Sequence, residues 1–267
     1  MPISCPIQVR PISQAEFKKL DYEVMRHAFA SQNDLGRLCD EAIYQADLAL
    51  RLEGAGFGPV RREVLVTVFH GDFRKTYFID VLLIDGAPYE LKTVSALNTD
   101  HQKQLLHYLF LLGVQHGKLL NFRPPTVEHR FVNTTLTHES RHQFTIDDGR
   151  WHAVNERSAL LRDVLEALLK DWGAFLELSL YLEALTFFLG GEATVLRALP
   201  LMRDGHRLGE QRVHLLTPES GFRLTAMTED AAAYEAQLAR FLRHTELKHL
   251  DWINLAHHNI ELVTLSK

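Results

Sequence analysis

The chain has 267 residues, of which 46% are hydrophobic and 24% charged, proportions that exclude disorder, collagen and coiled coil for its bulk. Its formal net charge of −5 excludes a polycation, so any contact with nucleic acid has to come from a local patch. Two cysteines, Cys5 and Cys39, exclude a disulfide framework or a four-cysteine zinc site and fit a reducing compartment. The start of the chain lacks the pattern of a secretory signal. Of the long apolar runs, Leu105 to Val114 is too short for a bilayer, and Ala174 to Leu189 carries Glu177 and Glu183. The expectation is a soluble, cytoplasmic protein without a membrane partner.

In chain order, residues 1–33 read as a lead-in with at most a short helix. Leu35, Leu38, Ile43, Leu48 and Leu52 recur at helical spacing, with Asp34 as N-cap, and predict a helix over 34–52 that Gly54, Gly56, Gly58 and Pro59 end. Strands are predicted over 60–69, 77–84 and 88–94, the last two joined by a tight turn at Asp85-Gly86. A helix over 100–113 and strands over 118–122 and 128–136 follow. After a polar stretch, 137–155, the pattern predicts a long helix over 158–189. Strands follow at 194–201, 211–216 and 221–227, then a helix at 228–243 and strands at 252–255 and 259–265.

That order occurs twice. Gln104 and Gln237 are 133 residues apart, and the same spacing aligns Tyr108 with Phe241, His116 with His249, Asn121 with Asn254, and Tyr89 with Phe222. A slightly larger spacing aligns Gly36 with Gly173 and Tyr44 with Tyr181. One offset running through a hairpin, a helix and a strand indicates two copies of an α/β unit.

The chemistry concentrates in Tyr77-Phe-Ile-Asp80-Val-Leu-Leu-Ile-Asp-Gly-Ala-Pro-Tyr-Glu90-Leu-Lys92. Asp80 interrupts an apolar strand. Glu90 and Lys92 lie two apart on the next strand and therefore share a face. A hairpin that brings Asp80 beside Glu90 makes two carboxylates repel at the edge of a buried sheet, a cost that a hard divalent cation offsets. Mg²⁺ or Mn²⁺ suits such oxygen ligands, with Lys92 beside it to orient a water or face a phosphate. The competing reading is an ordinary charged ladder at a strand end. On the following helix Gln104 and Tyr108 share one face and could reach a phosphate or brace Lys92. Tyr44 reads better as a core residue with a satisfied hydroxyl. Arg61, Arg62, Arg74 and Lys75 flank the first hairpin, either as a phosphate-facing patch or as a solvated rim.

Residues 34–136 resemble the GxxExxY proteins, a branch of the PD-(D/E)XK nuclease superfamily. The pieces that carry the resemblance are Glu41-Ala-Ile-Tyr44, Glu63, Arg74-Lys75-Thr-Tyr-Phe-Ile-Asp80, Tyr89-Glu90-Leu-Lys92, His101-Gln-Lys-Gln104-Leu-Leu-His-Tyr108 and Gly117-Lys-Leu-Leu-Asn121. Leu38 stands where the family name has Gly, with Gly36 close by. The resemblance implies a restriction-endonuclease-like core, a mixed sheet flanked by helices. Asp80 and Glu90 match its metal ligands, with the Leu91 carbonyl as a third, and Lys92 matches its catalytic lysine. Glu41 matches a supporting helix carboxylate, and Gln104 and Tyr108 match a Q-x-x-x-Y helix motif.

At the spacing of 133, Asp80 becomes Val213, Glu90 becomes Arg223 and Lys92 becomes Thr225. The expectation is therefore a nuclease-like domain at 34–136 and a degenerate one at 137–267, with one active site acting on nucleic acid, DNA above RNA. The second half would offer a surface for a homodimer or a protein partner. The alternative is a non-catalytic module that uses the nuclease fold to bind nucleic acid or protein. His138-Glu139-Ser-Arg-His142 matches the zinc-protease pattern H-E-x-x-H, but its flanks read as strand rather than the helix that pattern needs.

Overall fold

Ser13 opens the first helix. In the structure, a computed structural model that describes residues 2–267, Ser13 and Glu16 form a reciprocal capping box at the start of α1, Gln14–Leu35. This 22-residue helix replaces the short helix expected inside the lead-in, whose first residue, Met1, lies outside the described residues. The helix expected from 34 begins only at Glu41: Gly36 ends α1 at φ 74°, and Asp40 precedes α2, Glu41–Gly54. A two-residue strand β1, Ile3–Ser4, is followed in the chain by β2, Val60–His70; β3, Phe73–Leu83; β4, Ala87–Lys92; helix α3, Thr99–Leu112; β5, His116–Asn121; and β6, Glu128–Asn133.

These strands form one six-stranded sheet in the order β1-β2-β3-β4-β5-β6. It is mixed: β3 pairs antiparallel with β4, β4 parallel with β5, and β5 antiparallel with β6. The parallel step needs a crossover, and α3 supplies it. Phe17, Val24 and Ala28 of α1 and Tyr44, Leu48 and Leu52 of α2 pack on Val81, Tyr89, Leu91, Leu120 and Phe122. Helix α3 seats Leu105 and Leu109 over Gly117, where an added Cβ would lie 2.9 Å from Leu109. Under the first helix a buried Lys118 donates to Asp21 Oδ2 at 2.6 Å.

The second half has its own sheet. A one-turn helix α4, His138–Arg141, and strand β7, Thr145–Arg150, occupy the polar stretch; the strand lies on the flank of the H-E-x-x-H segment that reads as strand. The long helix expected over 158–189 is two helices, α5, Glu156–Trp172, and α6, Leu178–Phe188, because Gly173 breaks it at φ 77°. A short α7, Glu192–Val195, precedes β8, Leu196–Arg203; β9, His206–Thr217; β10, Ser220–Thr225; α8, Ala231–Arg243; β11, His249–Ala256; and β12, Asn259–Ser266. The order is β7-β12-β11-β10-β9-β8, again with β9 antiparallel to β10, β10 parallel to β11, and β11 antiparallel to β12.

Strands β2–β6 and β8–β12 thus repeat one another in order, and the repeat extends to single hydrogen bonds. Tyr44 Oη donates to the Gly36 carbonyl, and Tyr181 Oη to the Gly173 carbonyl. Asn121 exchanges hydrogen bonds with the backbone N–H and carbonyl of Val94, and Asn254 does so with Met227. His116 meets Asn133 as His249 meets Ser266. The Asp21–Lys118 pair has its counterpart in Ser158 and Asp251, where the serine hydroxyl donates to the carboxylate. The sixth strands differ: β1 lies beside β2 in one sheet, and β7 beside β12 in the other.

Residues cluster into two compact units, one of Pro2–Phe69 with Arg74–His138, the other of Glu139–Lys267 with His70–Phe73. No helix among the described residues is long and apolar enough to cross a membrane.

Candidate active site

Antiparallel pairing sets Val81 opposite Tyr89, where the register ends, and just beyond it the Asp80 carboxylate reaches the Leu91 N–H of the facing strand. Tyr89 and Leu91 point into the α1–α2 core, and Glu90 and Lys92 therefore project from the other face. The end of β4 is held firmly. Phe122 N–H donates to the Lys92 carbonyl at 2.9 Å, and the Asn121 amide clamps Val94 just beyond.

Asp80 and Glu90 are almost wholly buried, at 7% and 2% exposure. Asp80 Oδ2 accepts from the Leu91 backbone N–H at 2.7 Å, and Lys92 Nζ donates to Glu90 Oε1 at 2.6 Å. Glu90 Oε2 is buried with no hydrogen-bond partner. An unpaired buried acceptor costs on the order of 1–3 kcal/mol, more when it is charged. Desolvation raises the Asp80 carboxyl to about 7 against the Leu91 hydrogen bond and the Lys92 charge. Desolvation raises Glu90 to about 8, with repulsion from Asp80 as the next cause. Lys92 moves upward as well: burial works against its charge, but Glu90, Glu41 and Asp80 outweigh it. The lysine is therefore a cation, a donor to oxygen and not a base.

Glu41 stands at the first turn of α2 and faces this group electrostatically. Its carboxyl is raised by desolvation and by Glu63, with Lys92 opposing. Glu63 is a site residue that the chemical reading of the sequence passed over. It is exposed on β2, holds a left-handed φ of 49°, and adds to the negative field at both Asp80 and Glu41. Strain at a non-glycine residue beside a carboxylate cluster is a feature of functional sites, and only the resemblance drew attention to it in the sequence.

Gln104 and Tyr108 come together as expected for helix positions four apart, with Gln104 Nε2 donating to Tyr108 Oη at 3.0 Å. Arg74 and Lys75 lie at the start of β3, the former about 20 Å along the strand from Asp80. Arg74 stacks its guanidinium 5.0 Å from the Phe69 ring, and Lys75 its ammonium 5.2 Å from the Tyr77 ring. Arg61 is committed to an ion pair with Asp85. Tyr44 is a core residue, stacked on Phe122 with centroids 4.4 Å apart. In the H-E-x-x-H segment, Arg141 is buried and donates to the Trp172 and Ala174 carbonyls, which gives that segment a structural task.

Among the described residues no three His, Cys, Asp or Glu side chains form a ready-made metal cage. The donor set nevertheless suits a hard cation. Two buried carboxylates of raised pKa face each other, and one oxygen lacks any partner.

Comparison with known proteins gives this geometry a family. A chain described as "Crystal structure of SSO0001" is 21% identical over 45% of this chain, with a TM-score of 0.28. The present chain covers 64% of that chain, less than two thirds of its length. No curated protein matches. The family model of the PD-(D/E)XK nuclease superfamily matches residues 18–133, the stretch that contains most of α1 and every residue of the site. Residues 18–133 of this chain are thus similar to the PD-(D/E)XK nuclease superfamily.

Proposed function

We propose that the chain is a cytoplasmic, metal-dependent nuclease of the GxxExxY kind that hydrolyses nucleic-acid phosphodiesters, DNA above RNA, at one active site in its N-terminal half. The observation that carries this reading is the buried Asp80–Glu90 pair with its orphaned oxygen and its lysine partner. Asp80, Glu90 and the Leu91 carbonyl would hold Mg²⁺ or Mn²⁺, which when bound offsets the carboxylate repulsion and polarises the scissile phosphate. Lys92, kept charged by three carboxylates, holds the attacking water or the phosphate oxygen by donation. Glu41 anchors Lys92 from the helix side, and its raised carboxyl makes it the candidate to carry a proton. Gln104 and Tyr108 contact the substrate backbone as a pair, and Arg74 and Lys75 extend the positive track along β3.

The division at residue 137 belongs to the same reading, with α1 joined to the nuclease-like half. The C-terminal half is a copy without a cation site, since its equivalents of Asp80 and Glu90 are Val213 and Arg223. End-labelled single-stranded DNA, double-stranded DNA and RNA incubated with Mg²⁺ test the proposal. Cleavage of DNA by the wild type and not by Asp80→Ala supports it; equal products from both proteins remove it.

A further inference from the structure

The C-terminal equivalent of the active site is a cavity of about 290 Å³ open to solvent, near the lower end of the roughly 300–1,000 Å³ of small-molecule sites. Val213 and Arg223 line it where Asp80 and Glu90 stand in the first unit, and Gln237 lines it where Gln104 stands. No aspartate or glutamate lines it. The exchange inverts the charge of the site: a place built to attract a cation becomes one built to attract an anion.

The polar side is made of nitrogen donors. Arg223 is exposed, and its Nε donates to Tyr234 Oη at 3.0 Å, which fixes one edge of the guanidinium and leaves its other donors for a ligand. No carboxylate among the described residues pairs with it. Arg212 and His214 of β9 also line the cavity. Burial first, and then the charge of Arg223, push the His214 imidazole below its usual value, with Glu192, which pairs with Arg212 at 3.4 Å, opposing. The other wall is apolar and aromatic, with Leu238 and Phe241 from α8 beside Tyr234.

We propose that this cavity binds a nucleotide, its phosphate on Arg223 and its base against the Tyr234–Phe241 wall. A planar guanidinium held by one edge grips a phosphate in two-point fashion, and an aromatic wall receives a flat base. The ligand chemistry is common to a free nucleoside monophosphate and to a nucleotide within a single strand. The cavity is lined by residues of the second unit alone, so the proposal does not rest on whether the carboxylate centre cuts.

Trp252 is the register neighbour of Arg223, and its ring centroid lies 5.8 Å from that of Tyr234, which makes it a built-in reporter. The test is titration of the full chain, in EDTA, with adenosine 5′-monophosphate, inorganic phosphate and a short single-stranded oligonucleotide. Tryptophan fluorescence and equilibrium dialysis give the readouts. Saturable binding of the monophosphate, weakened about tenfold or more by Arg223→Glu and less by Arg223→Lys, supports a free nucleotide as the occupant. The same losses seen with the oligonucleotide alone support a strand-borne nucleotide. Circular dichroism confirms that the exposed-site variants fold. Failure of both nucleotide probes to saturate, binding unchanged in Arg223→Glu, or inorganic phosphate bound as tightly as the monophosphate would overturn the proposal.

Discussion

Lys92 Nζ lies 2.6 Å from Glu90 Oε1, while the second oxygen of the same carboxylate is buried with nothing to accept from. The lysine satisfies half of the glutamate and leaves the other half buried without a donor. That unfinished arrangement is costly in an apo protein and useful in one that receives a cation.

Its cost should appear as a pH dependence. Asp80 and Glu90 have folded-state values raised to about 7 and about 8, above their ordinary values of 3.8 and 4.5. The folded state therefore holds more protons than the unfolded state between those limits. Stability contributed by the protonated pair is complete below about pH 4 and is lost as pH rises through 7 to 8. Thermal unfolding in EDTA should show a falling Tm from pH 5 to 8.5, and Mg²⁺ should restore most of the loss at the upper end. Glu90→Gln should flatten the profile and abolish the Mg²⁺ effect; an unchanged slope in that variant would remove the pair as its source.

The buried Lys118–Asp21 pair gives a separate test of the repeat. Burial pulls the Lys118 ammonium below its usual value, and Asp21 opposes that pull. Asp21→Ala leaves a buried cation alone and should cost about 3–5 kcal/mol in chemical denaturation. Asp21→Ser combined with Lys118→Asp installs the Ser158–Asp251 chemistry of the second unit and should recover part of that loss. A double variant less stable than the single one would show that the two positions are not equivalent.

Tyr44→Phe and Tyr181→Phe remove the same hydrogen bond from the two units, each from a wholly buried ring. Each should lower stability by about 1–2 kcal/mol, because a helix-terminal carbonyl loses its donor and the ring remains. Denaturant midpoints check this, and Tyr44→Phe should leave nuclease activity intact, since Tyr44 packs in the core.

The site was legible because Asp80 breaks an apolar run and Glu90 and Lys92 share a strand face, signals written in period two. The repeat was legible for a similar reason: the spacing of 133 residues passes through elements whose hydrogen bonds are in fact duplicated. The long helix α1 was not legible, since its face is anchored by Phe17, Val24 and Ala28 among many polar residues, and Ser13 and Glu16 were not recognised as a capping box. The breaks at Gly36 and Gly173 were missed because apolar spacing continues across both, and only the positive φ at each glycine ends the helix. Only the start of strand β7 was legible, as a strand-like flank, because Asp-Asp-Gly-Arg has no apolar alternation; its place beside β12 comes from backbone pairing. Glu63 was named through the resemblance alone, because no residue pattern announces its left-handed backbone.

Conversion of supercoiled plasmid to nicked and linear forms by full-length protein, with and without Mg²⁺, tests the three-residue centre most directly. Wild-type protein should cleave only with the metal, and Asp80→Ala, Glu90→Gln and Lys92→Ala should each reduce the rate by about a hundredfold or more while remaining folded. Cleavage that persists in any of the three, or a wild type inert toward plasmid, linear DNA and RNA with both Mg²⁺ and Mn²⁺, would contradict it.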